Sequence, residues 1–488
     1  MDGLPLVAGR VRALLGIVVL IAAAGYFLLR SDIVLGDPDL WWHIQAGHDM
    51  LATHSFPTTD SYSYTFAGQP WIAKEWLSQM IFAFVHQHFG WNGVTFVTVL
   101  AAASAIALAY REVSRWLAPP LAAIAVLLIA VVLTQVVIAR PHVFTLPLAV
   151  LFTARLFRAA DDHAAPPFWL LGVVTLWANL HGSFTLAFVV AALAFIHLLI
   201  ETRLSQPGVL ARWVVFGLLC PVAALVNPYG WTPFQINLDM MAGNESMPLI
   251  TEWLPFNAGR EVIVEYGLMA ALAVLIGLRP KLGWGKVIFV LFALHMFFTH
   301  IRFVYVFFLL VPVVIAPALA VTYRNASAQQ WGEKPSDGLE VLIGRRFAPL
   351  AGALVLGPLV VYGTLAHFAP PLRRSIDNAM AFIHEKNLTA GPVFNGYNLG
   401  GVLIFNGIKT YIDGRAEQLF RGPFIKDVIA SSDVGGETVL AKMLAESKAT
   451  WTIMPALDIR NSFMAALPGW TQSYSDDYVT IFTRSAPQ

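Results

Sequence analysis

The sequence predicts a polytopic α-helical membrane protein, with about eleven transmembrane helices, a juxtamembrane helix and a C-terminal soluble α/β domain. Three observations predict it. Of 488 residues, 57% are hydrophobic and only 12% charged, a balance foreign to soluble domains. Long apolar runs recur with cations between them, and from Ala369 onward the composition becomes that of a soluble chain. A net charge of +1 gives no sign of a nucleic-acid partner or an acidic tail. The single cysteine, Cys220, leaves neither a disulfide framework nor a cysteine-based metal site.

The first apolar run, Val11 to Leu29, follows Arg10 and would span roughly 28 Å as a helix, a full crossing. It therefore reads as an uncleaved anchor rather than a signal peptide. Further runs suited to crossings fall near 93–110, 119–138, 143–157, 167–180, 183–200, 211–226, 263–278, 285–299, 303–321 and 347–366. The segment Trp76 to Phe89 is shorter and carries His86 and His88, so it can cross or lie in the interface. Charge decides. With this segment in the interface, Arg111, Arg115, Arg155, Arg158, Arg203, Arg212, Arg279, Lys281, Lys286, Arg324, Lys334, Arg345 and Arg346 all fall on the side of the N-terminus. That is the positive-inside pattern, and it makes the N-terminus cytoplasmic and the C-terminal domain external. The predicted boundaries are a membrane module over 1–368 and an outer domain over 369–488. The module includes a first outer connection at 31–92 and a long one at 227–262. Within the outer domain the pattern predicts a helix over RRSIDNAMAFIHEKN, another near 436–447, and strands near PVFNG, KTYID, TWTIMP and YVTIF. A hydrophilic cytoplasmic loop runs from about Tyr323 to Asp337.

This topology gathers the polar chemistry on one face. GDPDLWWH (36–43) places Asp37 and Asp39 at the outer lipid boundary, followed by His43. Solvated carboxylates at a helix-ending turn would look the same, but a carboxylate at the rim of a membrane cavity can act as general base on an alcohol. Lys74, beside Glu75, and Arg140 and Arg302 lie at outer helix ends, with His142, His181 and His300 near them. One such cation is ordinary snorkelling; the group points to an anionic ligand, such as a lipid-linked phosphate, which the arginine fork suits. WANLHG supplies Asn179 with His181, and VNPYG supplies Asn227 and Tyr229. Glu252 and Trp253 sit in the long outer connection, a length that fits a lid or an acceptor wall. Carboxylate plus tryptophan also suits a sugar face. The Asp37–Asp39 spacing leaves a divalent metal ion open, although no HExxH or CxxC is present. YIDGRAE (411–417) reads as a turn or as an acceptor contact, and FNGYNLGG lacks the glycine order of a nucleotide loop.

The arrangement resembles the GT-C superfamily of membrane glycosyltransferases, in particular the branch with protein O-mannosyltransferases and lipid A aminoarabinose transferases. The resemblance rests on GDPDLWWHIQAG after the first span, AGQPWIAKEWLSQMIFAFV leading into the juxtamembrane helix, ARPH after the third span, and the C-terminal outer domain. It implies a polyprenyl-phosphate sugar donor of the undecaprenyl type, and chemistry on the periplasmic face of a bacterial inner membrane. It also implies an aspartate base, carried here to Asp37 or Asp39, with donor phosphate at Lys74 and Arg140. The chain departs from the branch in having DPDLWWH where an acidic pair adjoins a tyrosine, and His142 where a second aspartate is expected. The function expected is therefore inverting sugar transfer to a lipid, glycan or protein acceptor. The same cations would also serve a flippase for a lipid-linked sugar, and the same layout a non-catalytic subunit of an envelope polysaccharide complex. Transporters, however, usually bind near the bilayer midplane, and here the ionisable groups gather at the rim.

Overall fold

The computed structural model describes residues 4–243, 250–322, 366–371 and 373–485. They divide into two compact units, each drawn from separated stretches: a helical unit within Met1–Val34, Trp91–Asn227 and Glu252–Phe368, and a mixed unit within Leu35–Gly90, Pro228–Thr251 and Ala369–Gln488.

Among the described residues six helices are long and apolar enough to cross a membrane: Trp76–Val113, Pro119–Val136, Pro141–Asp161, Gly182–Thr202, Pro207–Ala224 and Ile301–Thr322. Arg12–Leu28, Leu170–Leu180, Val262–Leu278 and Trp284–Thr299 are shorter apolar helices. Each matches an apolar run expected from the sequence. The expected loop at 323–337, and all but the last residue of the expected crossing at 347–366, lie outside the described residues. Pro119, Pro141 and Pro207 open their helices, where the missing N–H has no intrahelical partner to lose. In the helical unit, Thr145–Asp161 packs on Thr185–Thr202 and Leu170–Leu180 on Pro207–Ala224. Leu128, Leu218 and Ile276 stay more than 60% exposed, which is the outward apolar surface that lipid as solvent requires.

The long helix Trp76–Val113 is not continuous. Gly90 takes φ 58° and ψ −151°, a conformation open to glycine and costly for other residues. The break separates 76–89, expected as a juxtamembrane helix, from the apolar helix that starts at Trp91, where a crossing over 93–110 is expected, and the two parts belong to different units.

The mixed unit holds a four-stranded sheet of β1 (Val393–Asn395), β2 (Trp451–Pro455), β3 (Trp470–Ser475) and β4 (Val479–Arg484) in the order β1-β2-β4-β3. β1 and β2 are parallel and the other pairs antiparallel. The expected helices are present as Arg373–Glu385 and Glu437–Ser447, and three of the expected strands as β1, β2 and β4. KTYID is not a strand. Its Thr410 makes only an isolated bridge to Ser63, because Asn395 takes over the backbone: Oδ1 accepts the Tyr411 N–H at 2.8 Å and Nδ2 donates to Ile412 O at 2.7 Å. The polar edge strand β3 was not expected, since a mostly exposed WTQSYS carries no apolar alternation.

The core of this unit joins the first connection to the C-terminal stretch. Trp42, Met50 and Trp71 pack in one cluster with Phe394, Tyr411, Phe420, Leu440 and Phe482. Inside it lies an ion-pair triad with no solvent exposure: Arg415 Nε and Nη2 donate to Asp413 at 2.7 and 2.8 Å, and Nη1 donates to Asp60 at 2.5 Å. Tyr62 and Trp71 flank the guanidinium, with ring centroids 5.1 and 5.0 Å away. The carboxylates are satisfied further by the Tyr62 N–H on Asp60 and the Thr410 hydroxyl on Asp413, each at 2.8 Å. Removing the cation strands two buried anions, so Arg415→Ala is expected to destabilise the protein by about 3–5 kcal/mol. The thermal unfolding midpoint of the purified chain in detergent checks this; a wild-type midpoint would show that the triad is dispensable.

Candidate functional site

The expected site residues fall into two constellations, one in each unit. In the mixed unit, Asp37 and Asp39 stand at the head of the helix Leu40–Thr53, and the two play different parts. Asp37 Oδ1 accepts the Asp39 N–H at 3.0 Å, so Asp37 closes the turn that starts the helix. Asp39 is the N-cap residue, yet its side chain makes no capping bond. Its carboxylate instead lies against Gly414: a Cβ on Gly414 would sit 1.8 Å from Asp39 Oδ1 and 2.8 Å from Trp42 Nε1. Only glycine admits that approach. Both aspartates are buried.

One turn on, His43 is buried between Gln79 and Glu75. The Gln79 amide donates to Nδ1 at 3.1 Å, which leaves the ring proton on Nε2, 3.9 Å from Glu75. Burial, with the Lys74 charge adding to it, pushes the imidazole down to about 3, so His43 is neutral at physiological pH. Lys74 is itself buried and donates from Nζ to Glu417 at 2.7 Å. Tyr229 accepts the Ala73 N–H at 3.3 Å. Burial pushes its phenol up to about 12, and it keeps its proton.

In the helical unit the centre is Glu252. One oxygen pairs with Arg140 and the other lies 3.5 Å from Arg302 Nη1. Burial opposes ionisation of Glu252, but the two guanidiniums outweigh it and hold the carboxyl below its ordinary range. Arg302 also lies 4.6 Å over the Trp253 ring and 3.4 Å from His181 Nε2. His300 fixes that tryptophan by donating from Nδ1 to its carbonyl at 2.6 Å. His142 stands ring to ring with His181 and donates to Val136 O. Both amide hydrogens of Asn179 go to the carbonyls of Thr175 and Val226, and Asn227 donates to Ala224 O. Asn179 thus ties the end of Leu170–Leu180 to the turn after Pro207–Ala224, while Asn227 closes the end of that second helix.

The structure thus brings Arg140, Glu252, Trp253, His181, His300 and Arg302 into one network, and Lys74, Glu75, His43 and the aspartates into one unit. The sequence offers no partner for Glu417 in YIDGRAE and no local sign that Gln79 and Asp60 help to build the site. Glu417 pairs with a residue 343 positions away, a separation that local pattern does not bridge. For Gly414 the order D-G-R, a glycine held between two charged residues, is the available signal. Among the described residues no three His, Cys, Asp or Glu side chains converge in an arrangement that would hold a metal ion.

No protein-family profile and no curated protein matches the chain. Solved structures do. ArnT from Cupriavidus metallidurans bound to undecaprenyl phosphate superposes with a TM-score of 0.52 at 14% identity, over 96% of this chain and 99% of that one. Its apo state gives 0.50 at 14% identity, over 97% and 99%. The archaeal oligosaccharyltransferase AglB from Archaeoglobus fulgidus, in complex with an inhibitory peptide and a dolichol-phosphate, gives 0.52 at 12% identity, over 90% of this chain and 69% of that one. At such identities the likeness is one of fold: this chain folds as ArnT and AglB do, in keeping with the resemblance expected from the motifs around Asp37, Lys74 and Arg140.

Proposed function

We propose that this chain is an integral membrane glycosyltransferase that moves a sugar from a polyprenyl-phosphate carrier, of the undecaprenyl type, to an acceptor on the periplasmic face, with inversion. The fold shared with proteins solved with undecaprenyl phosphate and with a dolichol-phosphate supports the donor class. The cations clustered on the N-terminal side of the crossings support a cytoplasmic N-terminus. The observation that carries the chemistry is Asp39, a buried carboxylate at the head of the helix Leu40–Thr53 that lies directly against Gly414.

In this reading the acceptor hydroxyl attacks the anomeric carbon as the bond from that carbon to the carrier phosphate breaks. The hydroxyl proton passes to Asp39, and the electron pair leaves with the phosphate. Fixed cations suit the growing negative charge, and Lys74 in the mixed unit and the Arg140–Arg302 pair in the helical unit are each a candidate for that part. The phosphate is already a competent leaving group, so positioning and charge supply most of the acceleration. Asp37 shapes the turn that presents Asp39. Neutral His43 contributes a hydrogen-bonding wall rather than a charge. Glu252 keeps the two arginines of its network aligned, and Trp253, beneath Arg302, offers an aromatic face for a sugar or an acceptor.

Asp39→Asn is expected to lower transfer by at least about 100-fold, the usual contribution of a general base, with folding intact. Asp37→Asn keeps an oxygen that can accept the Asp39 N–H, so its transfer should stay within several-fold of wild type. The assay is turnover of undecaprenyl-phosphate-linked sugars by the purified protein; an Asp39→Asn variant as active as wild type would remove the proposed base.

The phosphate role is checked separately. Arg140→Ala should weaken binding of undecaprenyl phosphate by about tenfold, the scale of one lost charge-assisted contact. Titration of that lipid into the purified protein measures it, and an unchanged dissociation constant would take Arg140 out of the donor site.

A further inference from the structure

Lys74 carries its charge in a buried position, and a buried ammonium needs a fixed counter-charge to remain both ionised and aimed. The chain supplies one from a loop more than 300 residues away. Glu417 accepts from Lys74 Nζ at 2.7 Å, and its side chain is 25% exposed while that of Lys74 is 8% exposed. The next residue, Gln418, clamps the strand of chain that bears Lys74: its Oε1 accepts the Ile72 N–H and its Nε2 donates to Ile72 O, both at 3.1 Å. The Arg421 guanidinium holds the Glu417 carbonyl at 2.5 Å. A lysine ammonium has three donors, and the contact with Glu417 uses one of them.

We propose that Glu417 is a positioning residue for the donor phosphate: with Gln418 it fixes the direction of the Lys74 ammonium so that its remaining N–H groups meet the carrier's phosphate group. This rests on the reading of Lys74 as a donor-binding cation. Glu417 touches no reacting atom. It acts through Lys74, and its removal leaves a buried lysine whose ammonium can tilt.

The test is a double-mutant cycle on the full-length protein in detergent, read as the dissociation constant for undecaprenyl phosphate. Glu417→Gln, which keeps the size of the side chain, should weaken binding about fivefold, and Glu417→Asp should recover most of that loss. In a Lys74→Ala background, already weakened, Glu417→Gln should have no further effect. Thermal midpoints of all variants establish that they are folded. Wild-type binding in Glu417→Gln, or an undiminished Glu417→Gln effect in the Lys74→Ala background, overturns the positioning role while leaving Lys74 in place. Wild-type binding in Lys74→Ala overturns the inference together with the donor role assigned to Lys74.

Discussion

The mixed unit depends on one interaction, the fully buried Arg415 guanidinium held between Asp413 and Asp60. Asp60 lies in the first connection and Asp413 in the C-terminal stretch, so the ion pair fixes how two remote segments meet. Burial of three charges costs desolvation, and geometry must offset it. Here the guanidinium is bidentate to Asp413 while it also reaches Asp60, a rigid planar geometry that a lysine ammonium does not offer, and two aromatic faces cover it. The residues beside Arg415 then have little freedom. Gly414 is carried against Asp39 and Glu417 against Lys74, so a structural triad sets the coordinates of both candidate functional groups.

The two aspartates of the opening motif show how similar residues acquire different roles from backbone position. Asp37 spends an oxygen on the N–H of Asp39, the local bond that Asp favours at a helix start. Asp39 occupies the cap position without using its side chain there, so its carboxylate faces the packed loop of the C-terminal stretch. His43, one turn later, is denied a charge by burial and by Lys74. The helical unit answers the same need differently: Glu252 lies between Arg140 and Arg302 and stays ionised because both cations face it.

What the sequence made legible follows from range. Apolar length and cation placement mark crossings because lipid imposes them residue by residue, and the runs near 119–138, 183–200 and 303–321 all appear as helices. β2 and β4 are equally readable, since their apolar runs are buried. KTYID misleads because Asn395 satisfies backbone groups that would otherwise pair in a sheet. In the site, residue types were legible, and partners were not. Arg140 and Lys74 announce themselves as cations in unusual places, but nothing local tells that Glu252 faces the first and Glu417 the second. GDPDLWWH marks an acidic turn; only the fold separates the aspartate that builds it from the one it presents.

Glycines mark where two backbones approach too closely for a side chain to intervene. Gly47 meets the Gln79 carbonyl, with an added Cβ falling 2.1 Å from its oxygen, and the resulting close crossing brings His43 to the Gln79 amide one turn earlier. Gly401 abuts the Pro38 carbonyl and Gly400 abuts Asp413 in the same way. Together with Gly414 these contacts draw the turn bearing Asp37 and Asp39, the helix it starts and the D-G-R loop to backbone separation. Close packing of this kind tolerates little displacement, so the Asp39 carboxylate is held in place by the backbone around it. The FNGYNLGG stretch, which lacks the order of a nucleotide loop, therefore has a physical explanation of its own: its paired glycines let the chain that carries Asp413 and the chain that carries Asp39 be packed from both sides.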